Sequence, residues 1–142
     1  MSIELDFDNV LESKPLPKGR YETQITAAEV KESGPNSKNP GRPMFQFTIG
    51  FTGPTKEEQV APTVRHFVSI PHPDDEPKSA DFKLLMLKRF LVAYNIPFSN
   101  NFDPEDVAFN SIGATAQVEV DLTEPNDSGD VYNRIVTPRL RD

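Results

Sequence analysis

The sequence predicts an all-β fold, a five-stranded barrel with one α-helix between the third and fourth strands. Five segments alternate apolar and polar residues with the period of two that is typical of half-buried strands. One further segment repeats its apolar residues with the period of a helix. The 14 prolines among 142 residues belong in turns, loops and sheet edges, because proline breaks helix interiors and central strands. A chain of this length forms about one domain with one core.

The first two strands are predicted over residues 20–30 and 44–51. The inward set of the first strand is Tyr21, Thr23, Ile25 and Ala27. The inward set of the second is Phe45, Phe47, Ile49 and Phe51. Residues 33–43 between them consist mostly of turn formers and bases, which predicts a long loop.

The third strand is predicted over residues 64–70, and the helix follows it. Val64, His66, Val68 and Ile70 form the inward set of this strand. Ser79 or Asp81 can cap the helix, since either side chain can accept hydrogen bonds from first-turn amides. The helix runs to about Tyr94, and its apolar stripe is Leu84, Leu87, Leu91 and Tyr94.

The last two strands are predicted over residues 114–123 and 131–140, with a hairpin turn at 125–130. The connector before them holds only a short turn at 104–107. This order of strands and helix is that of the OB-fold, a partly open barrel that binds oligonucleotides or oligosaccharides. With a single predicted helix available for a crossover, a doubly wound α/β fold is not expected.

The net charge of −7 opposes a protein that coats duplex DNA without regard to sequence, because such proteins usually need a large positive field. Residues 1–12 contain four acids and no base, and the prolines at 15 and 17 extend the chain after them. We therefore divide the sequence into an acidic N-terminal arm, residues 1–17, and an OB-fold domain, residues 18–142. Bases gather in residues 18–45 and near the C-terminus, so the acidic body is compatible with a local basic face.

Several classes of protein are not expected. The absence of cysteine excludes disulfides, thiolate metal sites and cysteine nucleophiles. No apolar run reaches the roughly 18 residues of a membrane helix, and the acidic N-terminus is unlike a secretory signal, so we expect a cytoplasmic protein. No phosphate-binding, dinucleotide-binding or nucleophile-elbow motif occurs, and we expect neither an enzyme nor a cofactor. His66 is interpreted as a core histidine, and residues 72–76 as a solvated acidic loop rather than a cation site.

A binder of single strands needs cations that follow the phosphates and flat side chains on which bases stack. Arg65 and Phe67 share the outward parity of the third strand, and Tyr132 and Arg134 repeat that pairing on the last strand. The long loop and the second strand add Lys31, Lys38, Arg42, Met44 and Gln46. Alternatives remain at this point: Phe67 packs against the arm or a dimer partner, Tyr132 completes the end of the barrel, and the loop cations only solubilise the loop.

The sequence also resembles a known family, the small OB-fold single-stranded-DNA-binding proteins of tailed phages. The resemblance rests on short segments in a particular order along nearly the whole chain. These segments are Leu5-Asp6-Phe7-Asp8-Asn9-Val10, Leu16-Pro17-Lys18-Gly19-Arg20-Tyr21, Ala28-Glu29-Val30-Lys31-Glu32-Ser33, Arg42-Pro43-Met44, Leu87-Lys88-Arg89-Phe90-Leu91, Ile112-Gly113 and Tyr132-Asn133-Arg134-Ile135.

The resemblance implies sequence-independent binding of single-stranded DNA during phage replication or recombination, in the host cytoplasm. It adds Asn133 to the candidate contacts and supports Lys31, Arg42, Met44 and Arg134. Many single-strand binders end in an acidic tail that recruits partners, whereas this sequence ends in Arg139-Leu140-Arg141-Asp142. The acidic arm is the candidate for recruiting replication or recombination proteins. The alternative function is a protein-interaction or virion-associated β-barrel that binds no nucleic acid.

Overall fold

The computed structural model describes residues 2–8, 14–37, 40–52 and 63–140. In this part of the chain the elements are β1 (Gly19–Glu32), β2 (Pro43–Phe51), β3 (Val64–Ser69), α1 (Pro77–Ala93), α2 (Pro104–Ser111), β4 (Thr115–Leu122) and β5 (Asn133–Val136). Neither α1 nor α2 has the length and apolar character that a bilayer-crossing helix requires.

The strands form one antiparallel sheet in the order β3-β2-β1-β4-β5. The edge strands β3 and β5 approach each other, so the sheet curls into a nearly closed barrel. The prediction of a mostly β, five-stranded barrel is confirmed. The prediction of a single helix is wrong, because the connector after α1 folds into α2.

A local signal explains α2. Asp103 caps it, its carboxylate accepting hydrogen bonds from the amides of Glu105 at 3.1 Å and Asp106 at 3.5 Å. Pro104 takes the first helical position, where proline is favoured because no hydrogen-bond donor is needed there. Asp-Pro followed by two acids is therefore a pattern that starts a helix. The prediction of only a short turn at 104–107 is wrong.

Strand β1 is long because it pairs with two neighbours, and it contains a β-bulge. Ile25 lies opposite Ile49 and Ala27 lies opposite Thr48. Thr26 is therefore an extra residue that has no residue opposite it on β2. Beyond the bulge the inward set shifts by one: Ala28 packs against the core, while Ala27 is exposed. The inward placement of Ala27 predicted from alternation is therefore wrong.

The core lies between the inner face of the sheet and the two helices, with α2 contributing Val107 and Ala108. Phe45, Phe47 and Ile49 are fully buried, as their alternation predicts. The ring of Phe47 stacks on Phe90 of α1 with 4.4 Å between centroids. Stacked aromatic rings add specific geometry to the burial of apolar area, so this contact fixes how α1 sits on the sheet.

Two expectations for α1 fail at its N-terminal end. The helix begins at Pro77, and its capping residue Glu76 makes no side-chain hydrogen bond, so neither Ser79 nor Asp81 is the cap. Pro77 at the first helical position has a φ angle that suits the helix and leaves one free amide fewer to satisfy. Leu84 is exposed because the buried arc of α1 is formed by Leu87, Phe90, Leu91 and Tyr94.

His66 is a core-facing histidine, as predicted. Its ring stacks on Phe90 with 5.2 Å between centroids and 17° between the planes. Burial lowers the pKa of His66 from 6.5 to about 4, because the charged imidazolium is poorly solvated there.

This burial makes stability depend on pH. Below about pH 6.5 the unfolded chain binds a proton at His66 that the folded chain refuses, so stability falls as the pH drops towards 4. We expect the wild type to lose about 2 kcal/mol through this group between pH 7 and 4.5. His66→Phe keeps the stack and should lose correspondingly less, measured by urea denaturation at both pH values. Equal losses in the two proteins would contradict a depressed pKa.

Candidate nucleic-acid interface

Strand register places five of the predicted contact residues on one outer face of the barrel. Gln46 of β2 lies directly opposite Phe67 of β3, and Met44 lies opposite Lys31 of β1. Directly opposed residues point to the same side of a sheet. Arg65 lies two residues before Phe67 on β3 and therefore points the same way. Because Phe45 and Phe47 fill the inside, this shared face is the outside.

Arg65 and Tyr132 meet at a cleft between the two edge strands. The cleft has a volume of about 560 Å³, and Pro15 and Asp130 also line it. Tyr132 is 58% exposed, and Phe67, which lies two residues after Arg65 on β3, is 55% exposed. Arg65 is exposed and forms no ion pair with any described residue. Arg65 thus lies with Tyr132 and Asp130 in the cleft and two residues from the exposed Phe67, and we call Arg65, Phe67 and Tyr132 the β3–β5 cluster.

The hairpin between β4 and β5 holds Tyr132 in place. The Asn126 side chain accepts hydrogen bonds from the amides of Ser128 and Asp130, both at 2.9 Å, which closes the turn. The Tyr132 amide donates to the Thr123 hydroxyl at 3.0 Å, and its carbonyl accepts from the Thr123 amide at 2.8 Å. The backbone of Tyr132 is therefore fixed while its ring projects outwards.

Two further candidate cations carry surface ion pairs. Lys31 lies 3.5 Å from Glu29, and Arg134 lies 3.2 Å from Asp121. Both cations are about half exposed, and such pairs contribute little stability. A phosphate can replace the carboxylate at either cation at small cost.

Arg42 has a different environment from the other candidate cations, because its side chain is engaged within the protein. Its side chain is only 20% exposed, and its Nε lies 3.3 Å from the Asp75 carboxylate. The Asp75 side chain is 4% exposed, and each of its two carboxylate oxygens also accepts a 3.0 Å hydrogen bond from Lys83. The hydrogen bond from the His72 amide, then that from Lys83, lowers the pKa of Asp75. Arg42 therefore fastens the long loop to residues 72–75 and is not free to follow phosphates.

Asn133 is also engaged within the protein, because it is buried and its side-chain amide is hydrogen-bonded. Its Oδ1 accepts from the Leu16 amide at 2.8 Å, and its Nδ2 donates to the Leu16 carbonyl at 2.9 Å. Nδ2 also lies 3.4 Å from the Asp121 carbonyl. Asn133 thus holds the end of the N-terminal arm against the barrel, and both polar atoms of its buried side chain are engaged within the protein.

Six of the ten candidates therefore share a continuous outer surface: Lys31, Met44, Gln46, Arg65, Phe67 and Tyr132. Arg134 lies beside Tyr132 but is paired, and Lys38 lies outside the described residues. Across the ranges that the structure covers, no three His, Asp or Glu side chains are grouped as metal ligands.

Sequence reasoning missed Phe82 of α1, which is 63% exposed. Phe82 and Phe67 line the same groove of about 230 Å³ beside β3. The sequence could have predicted its exposure from its position on the helix. Phe82 lies five residues before Leu87, which places it away from the buried arc of α1.

We expect Asn133→Ala to lower the free energy of unfolding by about 2–3 kcal/mol, because it leaves the buried Leu16 amide and carbonyl without partners. Urea denaturation measures the loss, and Asn110→Ala, at an exposed position of α2, is the matched control. An Asn133→Ala protein as stable as the wild type would show that the contact with Leu16 adds nothing.

The comparisons with known proteins give a family. No curated protein matches the sequence. A family model described as protein of unknown function (DUF669) matches residues 3–141. Because the match covers nearly the whole chain, the protein belongs to the DUF669 family.

Proposed function

We propose that this protein binds single-stranded DNA without sequence preference, and that its barrel is an OB-fold. The strand order β3-β2-β1-β4-β5, with β3 and β5 adjacent, supports the fold. OB-folds bind oligonucleotides on the face of strands 2 and 3 and with the loops that join strands 1–2 and 4–5. Phe67 and Gln46 lie on that face, and Tyr132 lies where the β4–β5 loop ends.

The β3–β5 cluster is the observation that carries the proposal. Phe67 and Tyr132 are both more than half exposed, and Arg65 between them has no acidic partner among the described residues. Exposed aromatic rings that lie close to a cation on one face supply the stacking surface and the charge that a single strand needs. Base stacking contributes about 1–3 kcal/mol per base and suits any sequence, since every base has a flat π-face.

The acidic body does not oppose this function, and the two exposed rings favour single strands over duplex. Phosphates approach one face only, where Arg65, Lys31 and Arg134 lie, while repulsion from the rest of the surface acts over about 10 Å at ordinary ionic strength. A duplex keeps its bases stacked inside and offers the protein only its phosphates. An unpaired strand also offers its bases, so the two exposed rings discriminate between the two substrates.

In this proposal the protein is not an enzyme, since stacking and charge pairing change no covalent bond. Its setting is the one that the family resemblance implies, the replication or recombination of phage DNA in the host cytoplasm. In this proposal the acidic arm recruits replication or recombination proteins. Its Ile3, Leu5 and Phe7 are exposed between acids, where a partner protein can contact them.

We expect the affinity for a fluorescent oligo-dT to fall with salt, with a log–log slope of about −0.7 for each phosphate neutralised. Arg65→Ala should make the slope shallower by about 0.7, because one contact is lost. Fluorescence anisotropy over a salt series measures both values, and Lys78→Ala, at an exposed position on α1, is the control. Binding that ignored salt would contradict the proposal.

We expect Phe67→Ala and Tyr132→Ala each to weaken oligo-dT binding by about 1–3 kcal/mol, because each removes a stacking surface. Their melting temperatures should hold, since both rings are already in solvent. Phe109→Ala, which removes an exposed ring from α2, should change neither property. Unchanged affinity together with a large loss of stability would place the rings in structural roles and leave this face to a protein partner.

A further inference from the structure

A second aromatic groove lies beside the proposed interface, between β3 and the N-terminal half of α1. Phe67 forms one side of it, and Phe82 and Met86 of α1 form the other. Phe82 and Met86 are four residues apart, so they lie one above the other on the same face of the helix. The groove volume of about 230 Å³ suits a small flat group and not a bulky one.

The groove continues the interface already described. Phe67 belongs both to the outer face of β3 and to this groove, while Arg65, two residues away, lines the β3–β5 cleft. Tyr132, Arg65, Phe67 and Phe82 therefore form an unbroken series along the barrel. Phe82 has no role in the core, because Phe90 and Leu87 supply the buried side of α1.

The charges around the groove favour a base over a phosphate. Lys83 lines it, but its ammonium group is held by both carboxylate oxygens of Asp75 at 3.0 Å. His66, which also lines it, is stacked on Phe90 and uncharged near neutral pH. Among the lining residues, the polar groups left are the hydroxyls of Ser69 and Thr137, which can donate to or accept from the edge of a base. Arg89 does not line the groove, and its Nη1 is directed at the Met86 sulfur at 3.7 Å.

We propose that this groove holds one unpaired base of the bound strand against Phe82, so that the strand runs from the β3–β5 cleft across β3 and onto α1. The inference rests on the proposed function and adds a stacking position on the helix. The thioether of Met86 extends the apolar wall on which the base lies.

The test is oligo-dT binding by Phe82→Ala, measured by anisotropy over a salt series. We expect the affinity to fall about fivefold or more, as for the loss of one stacked base. The salt slope should stay that of the wild type, because no phosphate contact is removed. The melting temperature should also hold, since the Phe82 ring is exposed.

Matched variants separate stacking from helix effects. Phe82→Tyr should restore binding, whereas Phe82→Leu, which is apolar but not flat, should not. Leu84→Ala removes another exposed apolar side chain from the same helix, outside the groove, and should bind as the wild type does.

Wild-type affinity in Phe82→Ala together with weakened binding in Phe67→Ala would overturn this inference and leave the proposed function standing. A shallower salt slope in Phe82→Ala would also overturn it, because the groove would then hold a phosphate. A wild-type protein that does not bind oligo-dT would overturn both proposals.

Discussion

The structure depends on β1 pairing with two strands that lie on opposite sides of it. Gly19 to Gln24 pair with β4, and the later residues of the strand pair with β2. A flat strand cannot serve both halves of a small barrel, and the extra residue Thr26 supplies the bend and twist. The bulge also exchanges the faces of the strand, so that Lys31 points outwards beside Met44. Without it, the outer surface of β2 and β3 would lack its neighbouring cation.

Strand β3 couples the core to the proposed interface. Its inward residues Val68 and His66 pack beneath the sheet, and His66 stacks on the Phe90 ring that anchors α1. Its outward residues Arg65 and Phe67 alternate with them and face solvent. The exposed Phe67 ring therefore projects from a backbone fixed by buried contacts, and the proposed ligand binding would require little ordering of the protein. Such preorganisation lowers the entropic cost of binding.

Local patterns explain what the sequence could predict. The alternation of Phe45, Phe47 and Ile49 identified a buried strand face, because a period of two is a property of the strand itself. The residues whose roles were missed depend on partners far away in the chain. Asn133 binds Leu16, which lies 117 positions earlier, and Arg42 lies against Asp75. Both resemble free polar residues until folding brings those partners together, and the same holds for Phe82, whose groove requires β3 beside α1.

The most direct test of the central claim is a map of amide chemical-shift changes in isotope-labelled protein as oligo-dT is added. The account predicts that the largest changes fall on β3 around Arg65 and Phe67, at Tyr132, and in the first turns of α1 near Phe82. Changes confined to the acidic arm or to α2, or no changes at saturating oligonucleotide, would contradict it.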